Sequence, residues 1–290
     1  MTPNAAPSDP NYIPSIVRNF DRDRFVAALF MPGAYRPDLF ALYAFNIELT
    51  RIPELVSEPM LGEFRLQWWR DTLDQLENGE RLGHPIADRL GDVMRTRRLP
   101  KMTLLGLIDA RSFDVTGDAM PDMQALRAYL GKTAEALFSL SVQILAQGGI
   151  GDRRSDVEEA ARLSGIAYGL TGLLRALPVH AARGIYFLPT SQFNDASVET
   201  PMYVQGEEGE TLKRAFAGLI GDAGTALDEV RQRIADLPEA LQPAFLPLAF
   251  VPPYLDKLTR PTHRPLHDLV ELNPLGRLFR AWRAARFGLA

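Results

Sequence analysis

The sequence contains no cysteine, has four histidines and has no long hydrophobic run. Without cysteine the chain can form no disulfide, thiol nucleophile or cysteine-ligated zinc site. No segment approaches the roughly 20 apolar residues that a membrane-spanning helix needs. The net charge of −4 argues against nucleic-acid binding by bulk electrostatics, so no nucleic-acid partner is expected.

The amino-terminal segment lacks the features of a secretory signal. Residues 1–12 contain three prolines among polar residues, with neither a basic start nor an apolar core. We expect 1–12 to be a disordered lead-in and 13–290 to form a single helical domain, because no linker or repeat divides the remainder. The absence of a signal and of cysteine favours a cytoplasmic location.

Helical spacing of apolar residues dominates the chain, 46% of which is apolar. Sustained alternation of apolar and polar residues is almost absent, so the pattern predicts an all-α protein with about ten helices. The proline-rich stretch from 240 to 257 predicts short, broken pieces. The clearest helices are predicted over 63–76, 86–97, 101–115, 122–146, 155–177, 209–236 and 274–287.

Four segments, taken in order, resemble the squalene/phytoene synthase family. They are RFVAALFMP (24–32) with FALYAF (40–45), RLQWWRDTL (65–73), DARSFD (109–114), and GIAYGLTGLLR (165–175) with RGIYFLP (183–189). The resemblance implies an isoprenoid-synthase helical bundle with a central cavity. The cavity or ligand candidates that it implies are Tyr43, Ile47, Arg51, Glu54, Gly169, Gly172, Arg175, Arg183 and Tyr186.

Synthases of that family hold Mg²⁺ against a diphosphate between two helices, each carrying Asp-x-x-x-Asp. The ion requires hard oxygen ligands and stabilises the leaving group. Carried onto this sequence, the first motif falls on Thr50, Arg51 and Glu54, and the second on Ala176 and His180. The family's accompanying arginine, glutamine and asparagine fall on Ile47, Gly169 and Gly172. Because only Glu54 is acidic, we expect no metal and no cofactor and assign no catalytic residue.

Two alternatives remain open. In the first, the acids have moved and the chain is a magnesium-dependent prenyl transferase that joins isoprenyl diphosphates head to head. Glu54 and Glu58 have the right spacing for this, but Pro53 and Pro59 bracket them and disfavour one continuous helix. In the second, the chain keeps an apolar cavity and carries an isoprenoid or quinone lipid.

Two short phrases resemble a degenerate, non-catalytic branch of the family. These are LYAFNIEL (42–49) and RALPVH (175–180). That branch includes a mitochondrial assembly factor for respiratory complex I. The resemblance implies a role in assembly, with respiratory complex subunits or the inner-membrane surface as partners. It places the chain in the cytoplasm, with a peripheral position on the inner membrane as a further expectation, and leaves a polyprenyl lipid as a possible ligand.

The last predicted helix combines arginine with aromatic residues. Arg277, Arg280, Arg283 and Arg286 recur every third residue, and Trp282 lies among them. This composition is typical of a helix that contacts anionic lipid or an acidic partner. Cations near a helix C-terminus also suit the helix dipole, so a purely structural role stays open.

Two other groups predict structure rather than chemistry. Trp68 and Trp69 are adjacent on a helix and therefore point about 100° apart, so one is expected in the core and one at the surface. Asp109, Arg111 and Asp114 predict a charged helix face.

Overall fold

The computed structural model describes residues 9–146, 149–193 and 209–289. Within those ranges the chain is helical, and extended backbone pairs only at an isolated parallel bridge between Ala119 and Tyr186. The prediction of an all-α fold is therefore confirmed. The helices are α1 (Tyr12–Phe20), α2 (Arg22–Leu29), α3 (Arg36–Thr50), α4 (Ile52–Leu55), α5 (Pro59–Glu77), α6 (Pro85–Arg97), α7 (Lys101–Thr116), α8 (Met123–Leu130), α9 (Ala136–Leu145), α10 (Arg154–Arg175), α11 (Leu177–Ala182), α12 (Glu210–Ala235), α13 (Val251–Leu258) and α14 (Pro274–Phe287).

Most of the predicted lead-in lies outside the described residues. Residues 1–8 are among those not described, whereas Tyr12 already begins α1. The division of the chain into a lead-in and one domain stays a prediction.

Helix ends follow the local chemistry of the sequence. Asn273 caps α14 by accepting a hydrogen bond from the Gly276 amide at 2.6 Å, and Asp122 caps α8 through the Ala125 amide at 2.8 Å. Gly117 ends α7 with a φ of 71°, a left-handed conformation that glycine adopts without steric strain. These signals explain why the predicted and observed spans of α7 and α14 agree closely.

Two clusters of buried apolar side chains form the core. The larger joins α3, α5, α6 and α7, and the smaller lies between α10, α12 and the segment before α13. Both clusters include side chains from α9 and α10, which therefore link them. Trp69 is buried and Trp68 is 43% exposed, so the prediction for this pair is confirmed.

The helix predicted over 122–146 contains an irregular turn. A π-helical segment, Gly131–Glu135, separates α8 from α9, and α10 packs across it. A Cβ atom on Gly165 would lie 2.7 Å from the backbone nitrogen of Glu135. Glycine is therefore what allows α10 to approach the widened turn.

The proline-rich stretch forms short pieces, as predicted. A 3₁₀ segment, Gln242–Phe250, leads directly into α13. One side of α14 packs against this segment and against α2. Among the described residues, none of the helices has the length and hydropathy that crossing a bilayer requires.

Candidate functional site

The positions that match the first acidic motif lie where α3 gives way to α4. The Thr50 hydroxyl donates a hydrogen bond to the Ile47 carbonyl at 3.0 Å, within its own helix. The Arg51 guanidinium lies over the ring of Phe20, 3.9 Å from its centroid. A cation–π contact of this kind needs no neighbouring anion. Two of the three motif positions therefore carry no anionic oxygen.

Glu54, the one acidic residue at these positions, is paired with arginine. Its Oε1 accepts a hydrogen bond from Nη1 of Arg183 at 2.8 Å. Its Oε2 lies 3.8 Å from Nε of Arg51. Two cations therefore compensate the single carboxylate, and a third cation added beside it would be repelled by both arginines.

The positions that match the second motif lie at the end of α10. Ala176 joins α10 to α11, and His180 lies on α11 with its ring 4.8 Å from that of Phe187. Burial, together with the charges of Arg183 and Arg111, lowers the pKa of His180 to about 4. The imidazole is thus neutral at neutral pH, and its Nδ1 has no hydrogen-bond partner among the described residues.

These side chains do not fit a magnesium–diphosphate centre. Mg²⁺ prefers carboxylate oxygen and water, whereas the positions hold a threonine, an arginine, an alanine, a neutral imidazole and one ion-paired glutamate. Within the part of the chain that is described, no three His, Asp or Glu residues converge in a group able to hold a metal ion. We therefore assign no magnesium-dependent step to this chain.

The proposed relocation of the acids also lacks a suitable geometry. Glu58 is an exposed N-cap residue of α5 in extended conformation, with φ −135° and ψ 140°, whereas Glu54 belongs to α4. The two glutamates are therefore not presented on one helix face, as an i, i+4 metal motif requires. Pro53 and Pro59 do separate the helices, as predicted.

A cavity of about 480 Å³ lies beside these positions, between α1, α2, α10, α13 and α14. Gly172 and Arg175 line it, as expected for cavity residues, together with Phe20 and Asp23. A ligand would have to compete for the charged wall of this cavity, because the arginines in that wall already bind an internal carboxylate.

That carboxylate belongs to Asp23. It accepts hydrogen bonds from Nε of Arg277 at 2.6 Å, from Nη1 of Arg175 at 3.2 Å and from the Tyr254 hydroxyl at 2.9 Å. The Arg175 guanidinium also stacks 3.5 Å from the centre of the Tyr254 ring. Burial and the Asp23 charge raise the pKa of Tyr254. The hydroxyl is therefore protonated and donates to the carboxylate.

Arg277 corrects one prediction from the sequence. It was expected to contact a membrane or partner, but it is only 3% exposed. Although burial alone would lower the pKa of Arg277, the hydrogen bond with Tyr254 and the charge of Asp23 raise it. Its role is to hold α14 against α2 and α13.

Gly169 also differs from expectation. A Cβ atom there would lie 2.6 Å from Cδ2 of Leu130 and 3.0 Å from Cβ of Ala134. The residue is therefore a contact point between α10 and α8, where side chains of the neighbouring helix fill the space, rather than part of a cavity wall.

The other candidates are placed as follows. Tyr43 and Ile47 are buried, and the Tyr43 hydroxyl lies 3.2 Å from Oγ of Ser141. Tyr186 forms the bridge to Ala119, and its carbonyl accepts a hydrogen bond from the Met120 amide at 2.9 Å. A role for these residues in ligand contact stays a prediction.

A second buried polar cluster was not predicted. Nη1 of Arg111 donates to Asp114 at 2.8 Å and to the Tyr129 hydroxyl at 2.7 Å, and Nη2 reaches Oδ1 of Asn46 at 3.2 Å. Arg111 and Asp114 are buried rather than on the expected charged face, whereas Asp109 is exposed and pairs with Arg70 at 2.9 Å. The spacing of these charges gave no signal of their burial, because Tyr129 and Asn46, which complete the cluster, come from other helices.

The remaining residues of the predicted contact helix lie at or near the surface. Trp282, Arg283 and Arg286 are exposed, and Arg280 is half-buried, with Nη1 donating to the Gly276 carbonyl at 3.1 Å. Asp23 and Tyr254, which organise the cavity wall, were missed by the sequence reasoning. A buried aspartate in the phrase RDRF (22–25) carries no local mark that distinguishes it from an exposed one.

Comparison with known proteins agrees with the fold. The family model for squalene/phytoene synthase matches residues 17–277. Assembly factor 6 of NADH dehydrogenase (ubiquinone) complex I from Bos taurus is 29% identical over 276 residues, which span 94% of this chain and 81% of that protein. The Homo sapiens protein of the same name is 27% identical over 277 residues, or 94% and 82%.

Among solved structures, a dehydrosqualene synthase in complex with ligand aligns with a TM-score of 0.77 and 17% identity, covering 95% of this chain and 94% of that one. At this identity the likeness concerns the fold alone. The resemblance drawn from the four sequence segments is thus confirmed: the chain belongs to the squalene/phytoene synthase family.

Proposed function

We propose that this chain is a non-catalytic member of its family that acts in the assembly of respiratory complex I. The observation that carries the proposal is the Glu54–Arg183 pair. The one carboxylate left at the acidic-motif positions is bound to arginine, and the positions of the second motif hold Ala176 and His180. With one ion-paired carboxylate in the first motif and no anionic oxygen in the second, the scaffold lacks the metal-borne charge stabilisation on which diphosphate ionisation depends.

The assembly role is supported by the relatives. Two proteins that match over 94% of this chain are named as complex I assembly factors. We propose respiratory complex subunits as partners and a cytoplasmic location, peripheral on the inner membrane. The role requires no resident cofactor, and a polyprenyl or quinone ligand stays a prediction.

A deletion and rescue experiment tests this function. A strain that lacks the chain is expected to contain less assembled complex I, measured by native electrophoresis and NADH:quinone activity in membranes. Wild-type protein and the Glu54→Gln variant are expected to restore the complex equally, because the proposed function requires no catalysis by the Glu54 carboxylate. Cross-linking followed by affinity purification is expected to recover complex I subunits.

Two results would contradict the proposal. One is an unchanged amount of complex I after deletion. The other is a Glu54→Gln protein that is present at wild-type level and fails to rescue. An Arg183→Gln variant, which removes the other half of the pair, provides the matched control.

A further inference from the structure

One side of α14 is exposed although it is apolar. The opposite side is anchored in the body of the protein by Arg277, Ala281 and Ala284, all of which are buried. Leu275 is 80% exposed, Phe279 is 59% and Trp282 is 44%. We name the exposed side the α14 face; it comprises Leu275, Leu278, Phe279, Trp282, Arg283 and Arg286.

The residues of this face point in one direction because of their helical spacing. Trp282 and Arg286 follow Leu275 by seven and eleven residues, so all three lie within about 20° of one direction around the helix axis. From Leu275 to Arg286 the face is about 16 Å long. It therefore forms a continuous strip rather than scattered exposed side chains.

The charge of this helix is of one sign. Residues 274–287 contain four arginines and no aspartate or glutamate, although the whole chain has a net charge of −4. Arg283 and Arg286 are exposed on the same side as the apolar residues. The strip is thus complementary to a surface that is both apolar and anionic.

A comparison with α5 shows that apolar exposure alone does not define such a surface. Met60, Phe64 and Trp68 are exposed at every fourth residue of α5. That helix, however, carries four acidic residues and two arginines. An anionic surface would be repelled by it, so α5 provides an internal reference for α14.

We propose that the α14 face binds the surface of a bilayer that contains anionic phospholipid. Leu275, Phe279 and Trp282 enter the boundary between headgroups and acyl chains, while Arg283 and Arg286 contact lipid phosphates. A lipid surface suits this face because its apolar side chains form one strip of an amphipathic helix with only cations beside them, which is the arrangement of a helix that lies in a membrane interface. Long arginine side chains reach the headgroups from within a membrane-bound face.

The proposal rests on the membrane-side part of the proposed function. Its test uses only the purified full chain and vesicles, so its outcome is separate from that of the deletion and rescue experiment.

The experiment is co-sedimentation with vesicles of phosphatidylcholine mixed with phosphatidylglycerol, compared with vesicles of phosphatidylcholine alone. The wild-type chain is expected to bind the mixed vesicles, and binding is expected to weaken as salt is raised. Phe279→Ser with Trp282→Ser is expected to lower the affinity by about 100-fold or more. Arg283→Gln with Arg286→Gln is expected to lower it by about 10- to 30-fold.

Matched controls remove exposed aromatic or cationic side chains from other helices. Phe64→Ser with Trp68→Ser removes exposed aromatic residues from α5, and Lys213→Gln with Arg214→Gln removes two exposed cations from α12. Both are expected to bind as wild type does, and circular dichroism verifies that every variant is folded.

Three outcomes would overturn the proposal. They are equal binding to both kinds of vesicle, a loss of binding in the α5 control equal to that in the α14 variant, and no binding to either vesicle. In the last case, self-association that sedimentation velocity detects and the Phe279/Trp282 variant abolishes would assign the face to a second copy instead.

Discussion

Arg183 donates a hydrogen bond from Nη1 to Oε1 of Glu54 at 2.8 Å, and this contact joins residues 129 positions apart in the sequence. It connects α4 with the segment that follows α11. In a synthase of this fold, the same region would face cations with carboxylates. Here one carboxylate faces arginine, so an internal ion pair occupies the position that a metal–diphosphate complex would require.

The Asp23 cluster leads to the first prediction, which concerns stability. Asp23→Ala leaves the buried guanidinium of Arg277 without its carboxylate, so the free energy of unfolding is expected to fall by about 3–5 kcal/mol. Glu271→Gln is the control, because Glu271 contacts the same two arginines at 3.1 and 3.4 Å with a side chain that is 63% exposed. Its loss is expected to cost less than about 1 kcal/mol.

Urea denaturation of both variants provides the measurement. Equal losses for the two substitutions would contradict the assignment of Asp23 as the organising carboxylate. If Asp23→Ala does not fold, Asp23→Asn replaces it, because it keeps the shape of the side chain. It is also expected to lose more stability than Glu271→Gln does.

This cluster also illustrates what the sequence could predict. The spans of α7 and α14 follow from apolar spacing and from capping residues, which act within a few positions of the chain. The burial of Arg277 could not be predicted, because its partner Asp23 lies 254 residues away. Arginines that recur every third residue rotate by about 60° per step around a helix, so the four of α14 cannot share one face.

The second prediction concerns three glycines of α10. Gly165→Ala places a Cβ atom 2.7 Å from backbone atoms of Glu135, so it is expected to destabilise the protein by about 1–3 kcal/mol. Gly169→Ala meets side-chain atoms instead, one of them the mobile end of Leu130, and is expected to cost less.

Gly172→Ala is the control of the series. In the described part of the chain, no heavy atom beyond its own helix backbone lies within 4 Å of the added Cβ, and alanine favours a helix over glycine by about 0.5–1 kcal/mol. Thermal and urea unfolding are expected to show the largest loss of stability for Gly165→Ala, a smaller loss for Gly169→Ala and no loss for Gly172→Ala. A Gly165→Ala protein as stable as wild type would contradict the close approach of α10 to the π-helical turn.

The π-helical turn is a second feature that the sequence could not predict. Apolar spacing predicted one helix across Gly131–Glu135, and a helix is indeed present there. The extra residue in the turn has no local signal, however, because it depends on α10 lying against it through Gly165. The same holds for Gly169, whose small size is explained by Leu130 and Ala134.

The third prediction concerns pH. Burial lowers the pKa of His180 to about 4, whereas an unfolded histidine titrates near 6.5. Between these values the unfolded chain binds the additional proton, so the free energy of unfolding falls as the pH is lowered through this window. From pH 7 to pH 5 the contribution of His180 is expected to fall by about 2 kcal/mol.

Comparison with His180→Gln isolates this contribution. The variant is expected to lose less stability on acidification than the wild type does, by that amount. Burial also lowers the pKa of His84, so a His84→Asn variant, which keeps an N-cap side chain, measures the separate contribution of that histidine to the same pH dependence. Parallel pH profiles for wild type and His180→Gln would contradict a buried neutral imidazole at position 180.

The fourth prediction is the most direct test of the account, whose central claim is that the acidic-motif positions no longer support diphosphate chemistry. The measurement is release of inorganic diphosphate from farnesyl or geranylgeranyl diphosphate in the presence of Mg²⁺, with Glu54→Gln assayed beside the wild type. We predict that release by both proteins equals that of a protein-free control, with or without the metal. Magnesium-dependent release at an enzymatic rate by the wild type, lost in Glu54→Gln, would contradict the account.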